Sequence, residues 1–226
     1  MIKIIKAVIF DLDDTLYNEM DFVKEGFKCV ASFLSRKYHL DEKKLFEDIL
    51  EILKLKGRGK IFDTLCKKYN IKEDIKTLVE IYRKTSSPLQ IYDDAKEVLE
   101  SFNGKYKMGV ITDGKASVQW NKINNLGIEK YFDKIIVTDD FGEKFWKPSE
   151  FAFIEMIKFL GCKACEAVYV GDNPRKDFIG ARKVGLYTVR IIREQGDNMC
   201  LEAEHGYEAH NSINNLMELS SIIKNI

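Results

Sequence analysis

Apolar residues recur along this chain with two different periods, and the change of period divides it. A short β-rich run at 7–12 ends in acids and reads as a first strand. From about Tyr17 to Arg83 the apolar positions follow a helical period. Phe22, Val23, Gly26, Phe27, Val30, Phe33 and Leu34 share one face. Leu45, Phe46, Ile49, Leu50 and Leu53 make a second stripe, which the glycines of Lys56-Gly-Arg-Gly-Lys60 bring to an end. Ile61, Phe62, Leu65, Cys66 and Tyr69 form a third stripe, and Ile75, Leu78, Val79 and Tyr82 a fourth. Four amphipathic helices with short connections predict a small bundle.

Beyond Pro88 helices and strands alternate. Helices are expected at 94–102, 115–126, 149–160 and 176–184, and strands at 108–111, 134–137, 167–170 and 187–191. A last helix at 215–223 closes the chain, and the polar stretch 193–206 reads as a mobile surface loop. Short apolar strands alternating with helices predict an α/β domain with a parallel sheet covered on both faces. The helical segment is then an insertion after the first strand.

The 226 residues amount to roughly one and a half domains at about 150 residues each, which agrees with a core plus an insertion. A hydrophobic share of 45% excludes disorder as the dominant state. Thirty-six basic residues balance 36 acidic ones, which excludes a general binder of nucleic-acid polymers. No apolar run approaches the ~18 residues of a membrane helix, and the start is too short and lysine-interrupted for a signal peptide, so no membrane is expected. The five cysteines fit reduced thiols of a cytoplasmic protein. Cys162 and Cys165 form a CxxC without further zinc ligands at finger spacing, and read as ordinary thiols. His39, His205 and His210 lie outside every motif.

Ligands of parallel α/β sheets bind beyond the carboxyl ends of the strands. The first strand delivers Asp11-Leu12-Asp13-Asp14-Thr15-Leu16-Tyr17 there, and the second Thr112-Asp113-Gly114. Lys147-Pro148 follows the third, and Gly171-Asp172 with Asp177 follows the fourth. Taken singly, an Asp-x-Asp, a Thr-Asp-Gly or a helix-opening Asp-Asn-Pro reads equally well as a turn or cap. All four occur in order, each after an expected strand, and that conjunction points to catalysis. Packed carboxylates need a cation, and an all-oxygen ligand set suits magnesium. With Lys147 and backbone donors this makes a seat for a phosphoryl group, expected among Leu12, Asp13, Thr112, Asp113, Gly114 and Lys147. One aspartate can attack phosphorus and the second can serve as general acid and base.

In these residues the sequence resembles the haloacid dehalogenase superfamily of phosphohydrolases. The resemblance implies a Rossmann-like core with strand order 5-4-1-2-3, residues 1–16 and 88–226, and a C1-type helical cap at 17–87. It implies that Asp11 is the nucleophile, Asp13 the acid/base, and Thr112 and Lys147 the phosphate-holding partners. Magnesium would be held by Asp11, Asp172, Asp177 and the backbone carbonyl of Asp13. One departure is a longer loop, Glu143-Lys-Phe-Trp146, before Lys147. It either brings Trp146 near the pocket or packs it on the surface.

Asp13 argues against dehalogenases, whose halide needs no proton. The run Asp13-Asp14-Thr15 differs from the Asp-x-Asp-Gly-Val of sugar phosphomutases. The expected activity is hydrolysis of a small phosphorylated metabolite: a sugar phosphate, a mononucleotide or a short organic acid phosphate. A phosphomutase is the alternative, with a non-hydrolytic phospho-acceptor module behind it. Tyr17, Phe22 and Arg58 are candidates for the substrate wall, although Phe22 also fits the apolar stripe and Arg58 a solvated turn.

Overall fold

A computed structural model describes residues 4–226. They fall into two compact units, one formed by residues up to Glu19 with Pro88–Ile226, the other by Met20–Ser87.

The second unit is the helical segment. Its helices are α1 (Glu19–Tyr38), which starts at the boundary, α2 (Glu42–Lys56), α3 (Ile61–Tyr69) and α4 (Ile75–Arg83). The four apolar stripes meet in one core, where Phe27, Leu34, Leu45, Ile49, Leu65 and Leu78 are buried. Tyr82 packs its ring against both Phe27 and Phe62. Gly26 makes room for that ring, since a Cβ there would sit 2.5 Å from Tyr82 Cδ2. Asp41 caps α2 by accepting the Lys44 N–H at 2.7 Å, and Gly57, at φ 70°, terminates it.

One acid is buried in this unit. Asp48 is 1% exposed and pairs with Lys44 at 2.9 Å and Lys68 at 2.7 Å, while Tyr69 donates its hydroxyl at 2.7 Å. Burial pushes its carboxyl up, but the two lysines and the tyrosine outweigh that and hold it at about 2.

The first unit carries a six-stranded sheet, all parallel, in the order β3-β2-β1-β4-β5-β6. The strands are β1 (Ala7–Phe10), β2 (Lys107–Thr112), β3 (Lys134–Val137), β4 (Ala167–Gly171), β5 (Tyr187–Ile191) and β6 (Asn211–Ile213). The helices are α5 (Asp93–Phe102), α6 (Ala116–Leu126), α7 (Phe151–Leu160), α8 (Asp177–Val184) and α9 (Leu219–Lys224). β1 lies between β2 and β4, and all four of its residues are fully buried, so both faces of the sheet are covered there. On one face Ala7, Ile9, Ile111 and Tyr169 pack with Phe153 and Met156 of α7 and Ala181 of α8.

Read from the other edge, this is the expected order 5-4-1-2-3 with one strand added outside β5. β6 is three residues long and only Ile213 is buried, too little for an alternation to show. β1 is shorter than the expected 7–12, although Asp11 still donates its N–H to Val170 at 2.8 Å. Residues 1–3, which open the expected core segment 1–16, lie outside the described residues. The helix expected at 215–223 is a 3-10 turn at Leu216–Glu218 followed by α9, opened by an Asn215–Glu218 capping box. No helix among the described residues is long and apolar enough to cross a membrane.

The depressed Asp48 carboxyl makes the helical unit acid-sensitive. A group depressed on folding stabilises above its unfolded value near ~4 and loses that contribution as pH falls toward its folded value. Half-exposed lysines screen the gain to about 1–2 kcal/mol. Asp48→Asn should therefore lower stability at pH 7 and flatten the loss of helical circular dichroism between about pH 4 and 2. Superimposable acid limbs for parent and variant would contradict this reading.

Candidate active site

Four strand ends converge on one edge of the sheet. The chain leaves β1 at Asp11, turns through Leu12, whose carbonyl accepts the Leu16 N–H at 3.0 Å, and places Asp14 in the left-handed region at φ 52°. β2 ends in Thr112, β4 in Gly171-Asp172, and Asp177 is the first residue of α8. Gly171 permits a close approach, because a Cβ there would lie 2.5 Å from Asp177 Oδ2. A polar cavity of about 180 Å³ opens among Asp11, Asp13, Thr112, Lys147, Asp172 and Asp177.

Lys147 is buried at the base of this cavity. Its Nζ donates to Asp11 Oδ1 at 2.5 Å, to Asp177 Oδ1 at 2.7 Å and to the Tyr169 hydroxyl at 3.1 Å. Tyr169 in turn donates its hydroxyl to Asp177 Oδ1 at 2.9 Å. Burial alone would push the Lys147 ammonium down; Asp11 and Asp177 more than reverse this and hold it well above its usual value. Asp113 fixes the backbone of that loop, with Oδ1 accepting the Lys147 N–H at 3.1 Å and the Thr138 hydroxyl at 2.7 Å.

Asp11, Asp172 and Asp177 bring a carboxylate oxygen each within 4.8 Å of one another. One lysine cannot neutralise three buried acids. Burial pushes Asp11 well above the carboxylate range against the pull of Lys147, with Asp177 and Asp172 adding to the rise. Burial and then Asp177 push Asp172 up to about 8, while Asn198 donates to its Oδ2 at 2.8 Å. An excess of hard oxygen ligands over positive charge is what a divalent cation of the magnesium type fits.

The Asp13 carboxylate stands outside this triad. Its Oδ1 accepts from the Tyr17 hydroxyl at 2.6 Å and from Lys122 Nζ at 2.8 Å, and its Oδ2 from Gln119 Nε2 at 2.9 Å. Gln119 Nε2 also donates to Thr112 Oγ1 at 2.6 Å. Lys122 is buried and pairs with Glu19 at 3.1 Å as well. Burial would lower its ammonium, but Asp13 and Glu19 raise it instead. Gly114, at φ 123°, lies beside Gln119.

The structure thus brings Asp11, Asp13, Thr112, Lys147, Asp172 and Asp177 together. Tyr17 is not on the wall of the cavity. It is fully buried and contacts Asp13 through its hydroxyl. Burial, with Asp13 beside it, pushes that phenol well above its usual value and keeps it a donor. Phe22 belongs to the helical unit, buried and edge-on to Tyr82, so it packs rather than presents a face. Arg58 lines a separate, largely apolar cavity within that unit, of about 310 Å³, with Lys60, Tyr82 and Arg83. Trp146 is half-buried with Lys115 over its ring at 5.7 Å, and does not line the acidic cavity.

Four contributors escaped sequence reasoning: Gln119, Lys122, Tyr169 and Asn198. Gln119 and Lys122 are three apart on α6, the one weak signal that they share a face. Asn198 lies in the polar stretch read as a surface loop.

A parallel sheet with acids, a hydroxyl and a buried lysine at its strand ends defines an enzyme built to handle a phosphoryl group. The chain belongs to the haloacid dehalogenase-like hydrolases, whose family model matches residues 8–191, from β1 to the end of β5. It is 36% identical to a glyceraldehyde 3-phosphate phosphatase of Methanocaldococcus jannaschii, over 98% of this chain and 98% of that one. A protein of the same description from Methanopyrus kandleri is 33% identical over 86% of this chain and 87% of its own. Among solved structures, a phosphatase of this family from Thermococcus onnurineus superposes with a TM-score of 0.63 at 30% identity, covering 97% of this chain and 98% of that one. Within the family the chain is a phosphoric monoester hydrolase.

A cation held by Asp11, Asp172 and Asp177 would stabilise the folded state alone. Magnesium at a hundredfold excess over its Kd should add about 2.7 kcal/mol, seen as a rise of several degrees in Tm. Asp172→Ala should abolish most of that rise. A wild-type Tm indifferent to magnesium would show that the triad holds no such ion.

Proposed function

We propose that this chain is a magnesium-dependent phosphatase of small phosphate monoesters, of the class of glyceraldehyde 3-phosphate, acting through an aspartyl-phosphate on Asp11. One observation carries the mechanism: two aspartates two residues apart lie in opposite settings. Asp11 sits against Lys147 at the acidic triad, while Asp13 is held away from it by a lysine, an amide and a phenol. That division suits a nucleophile and an acid/base. The substrate class is supported by the descriptions of the relatives from Methanocaldococcus jannaschii and Methanopyrus kandleri and by a cavity of only about 180 Å³.

An Asp11 oxygen attacks phosphorus as the bond to the leaving oxygen breaks. The leaving oxygen keeps the electron pair and takes a proton from the Asp13 carboxyl. Asp13, now a carboxylate, accepts a proton from water as that water attacks the phosphoryl group. The bond to Asp11 breaks, and inorganic phosphate leaves. Thr112 donates its hydroxyl, and Lys147 its charge, to the phosphoryl oxygens. Magnesium would be held by Asp11, Asp172 and Asp177 with the Asp13 carbonyl, and would neutralise the charge that a dianionic phosphate brings among four acids. Backbone donors at Leu12, Asp13, Asp113 and Gly114 complete the phosphate seat.

In this reading the helical unit is the cap that selects the substrate, and Arg58 is its candidate contact with the leaving group. All five cysteines are free thiols, which supports a cytoplasmic setting.

Asp11→Asn should reduce phosphate release from glyceraldehyde 3-phosphate on the order of 10³-fold or more with the fold unchanged by circular dichroism. Chelation of magnesium should act in the same direction. Near-parental turnover by the variant would rule out Asp11 as nucleophile. An isomeric sugar phosphate in place of inorganic phosphate would favour mutase chemistry.

A further inference from the structure

The face of α6 that meets the site does work that the strand-end motifs do not account for. Lys122 is a lysine almost without exposed surface, and it lies on a helix rather than at a strand end. Such a side chain is costly to bury unless its charge is matched. Here it is matched by two carboxylates of the segment that follows β1, Asp13 at 2.8 Å and Glu19 at 3.1 Å. One turn earlier, Gln119 spends its amide group on Asp13 Oδ2 at 2.9 Å and Thr112 Oγ1 at 2.6 Å.

We infer that Lys122 and Gln119 are positioning residues for proton transfer, which together aim the Asp13 carboxyl and the Thr112 hydroxyl. This rests on the phosphatase reading above. A carboxylate offers about four acceptor directions. Lys122 and Tyr17 take two on Oδ1, and Gln119 takes one on Oδ2. Oδ2 therefore keeps the open direction and is the oxygen that exchanges the proton with the leaving group and the water. The same economy applies to Thr112. Its oxygen accepts from Gln119, so its own hydrogen is turned outward, toward a phosphoryl oxygen. Neither α6 residue contacts phosphorus, the leaving oxygen or the attacking water in this account; Gln119 holds the proton-exchanging oxygen of Asp13 and Lys122 the other. They act by holding Asp13 within hydrogen-bond reach, and misplacing a catalytic group by about an ångström can cost on the order of 10²-fold.

The leaving group separates aiming from mere packing. An alkyl phosphate needs a proton on its leaving oxygen, whereas p-nitrophenolate departs without one. Lys122→Met removes the charge at similar length. In single-turnover experiments it should slow cleavage of glyceraldehyde 3-phosphate on the order of 10²-fold while slowing the burst of p-nitrophenol from p-nitrophenyl phosphate less than about tenfold. Gln119→Ala should show the same split at smaller size, and it decides the matter if the Lys122 variant fails to fold. Equal losses on both esters, or no loss on either, overturn the inference while leaving the phosphatase reading in place. An Asp11→Asn control that still turns over overturns both.

Discussion

The interaction on which the rest of the site depends is the buried ammonium of Lys147. It lies 2.5 Å from Asp11 and 2.7 Å from Asp177, and each acid arrives from a different strand end. Without that charge, two carboxylates would be pressed together in a pocket that burial has already made hostile to ionisation. With it, one negative charge is matched and the surplus remains. The surplus is what a divalent cation would neutralise, and in the proposed function that cation and the lysine would together seat a phosphate. Tyr169 and Asp113 exist in this scheme as supports: one shares Lys147 with Asp177, the other pins the backbone from which Lys147 extends.

The second organising feature is the separation of two chemically identical groups. Asp11 and Asp13 stand two residues apart in the turn after β1, yet one joins the triad and the other turns toward α6. The division comes from their partners. Asp11 meets a cation and two anions, and Asp13 meets a cation and two neutral donors. Catalysis that begins with a nucleophile and ends with a base needs such an asymmetry.

Much of this was legible in the sequence because it is local. A strand that ends in Asp11-Leu12-Asp13, or in Gly171-Asp172, announces both the strand and what it delivers, and parallel topology then fixes the edge at which the four ends meet. The helical stripes were likewise carried by their own period, from Phe27 to Leu78. What could not be read depends on distant pairs. Gln119 and Lys122 are 106 and 109 residues from Asp13, and nothing in their neighbourhood distinguishes a buried lysine from a solvated one. Asn198 reaches Asp172 from a loop without apolar period, and β6 has too few residues for any pattern. The position of Tyr17 after the first acids suggests a place near the site, but its neighbours in the chain do not reveal that its hydroxyl points back at Asp13.

The central claim is that Asp11 carries the phosphoryl group between substrate and water. The most direct measurement is acid quench during turnover of glyceraldehyde 3-phosphate, followed by mass mapping of the peptides. The account predicts the added mass of one phosphoryl group on the peptide that contains Asp11, formed and lost at rates that match turnover. Turnover without a phosphorylated intermediate, or with the group on any other residue, would contradict it.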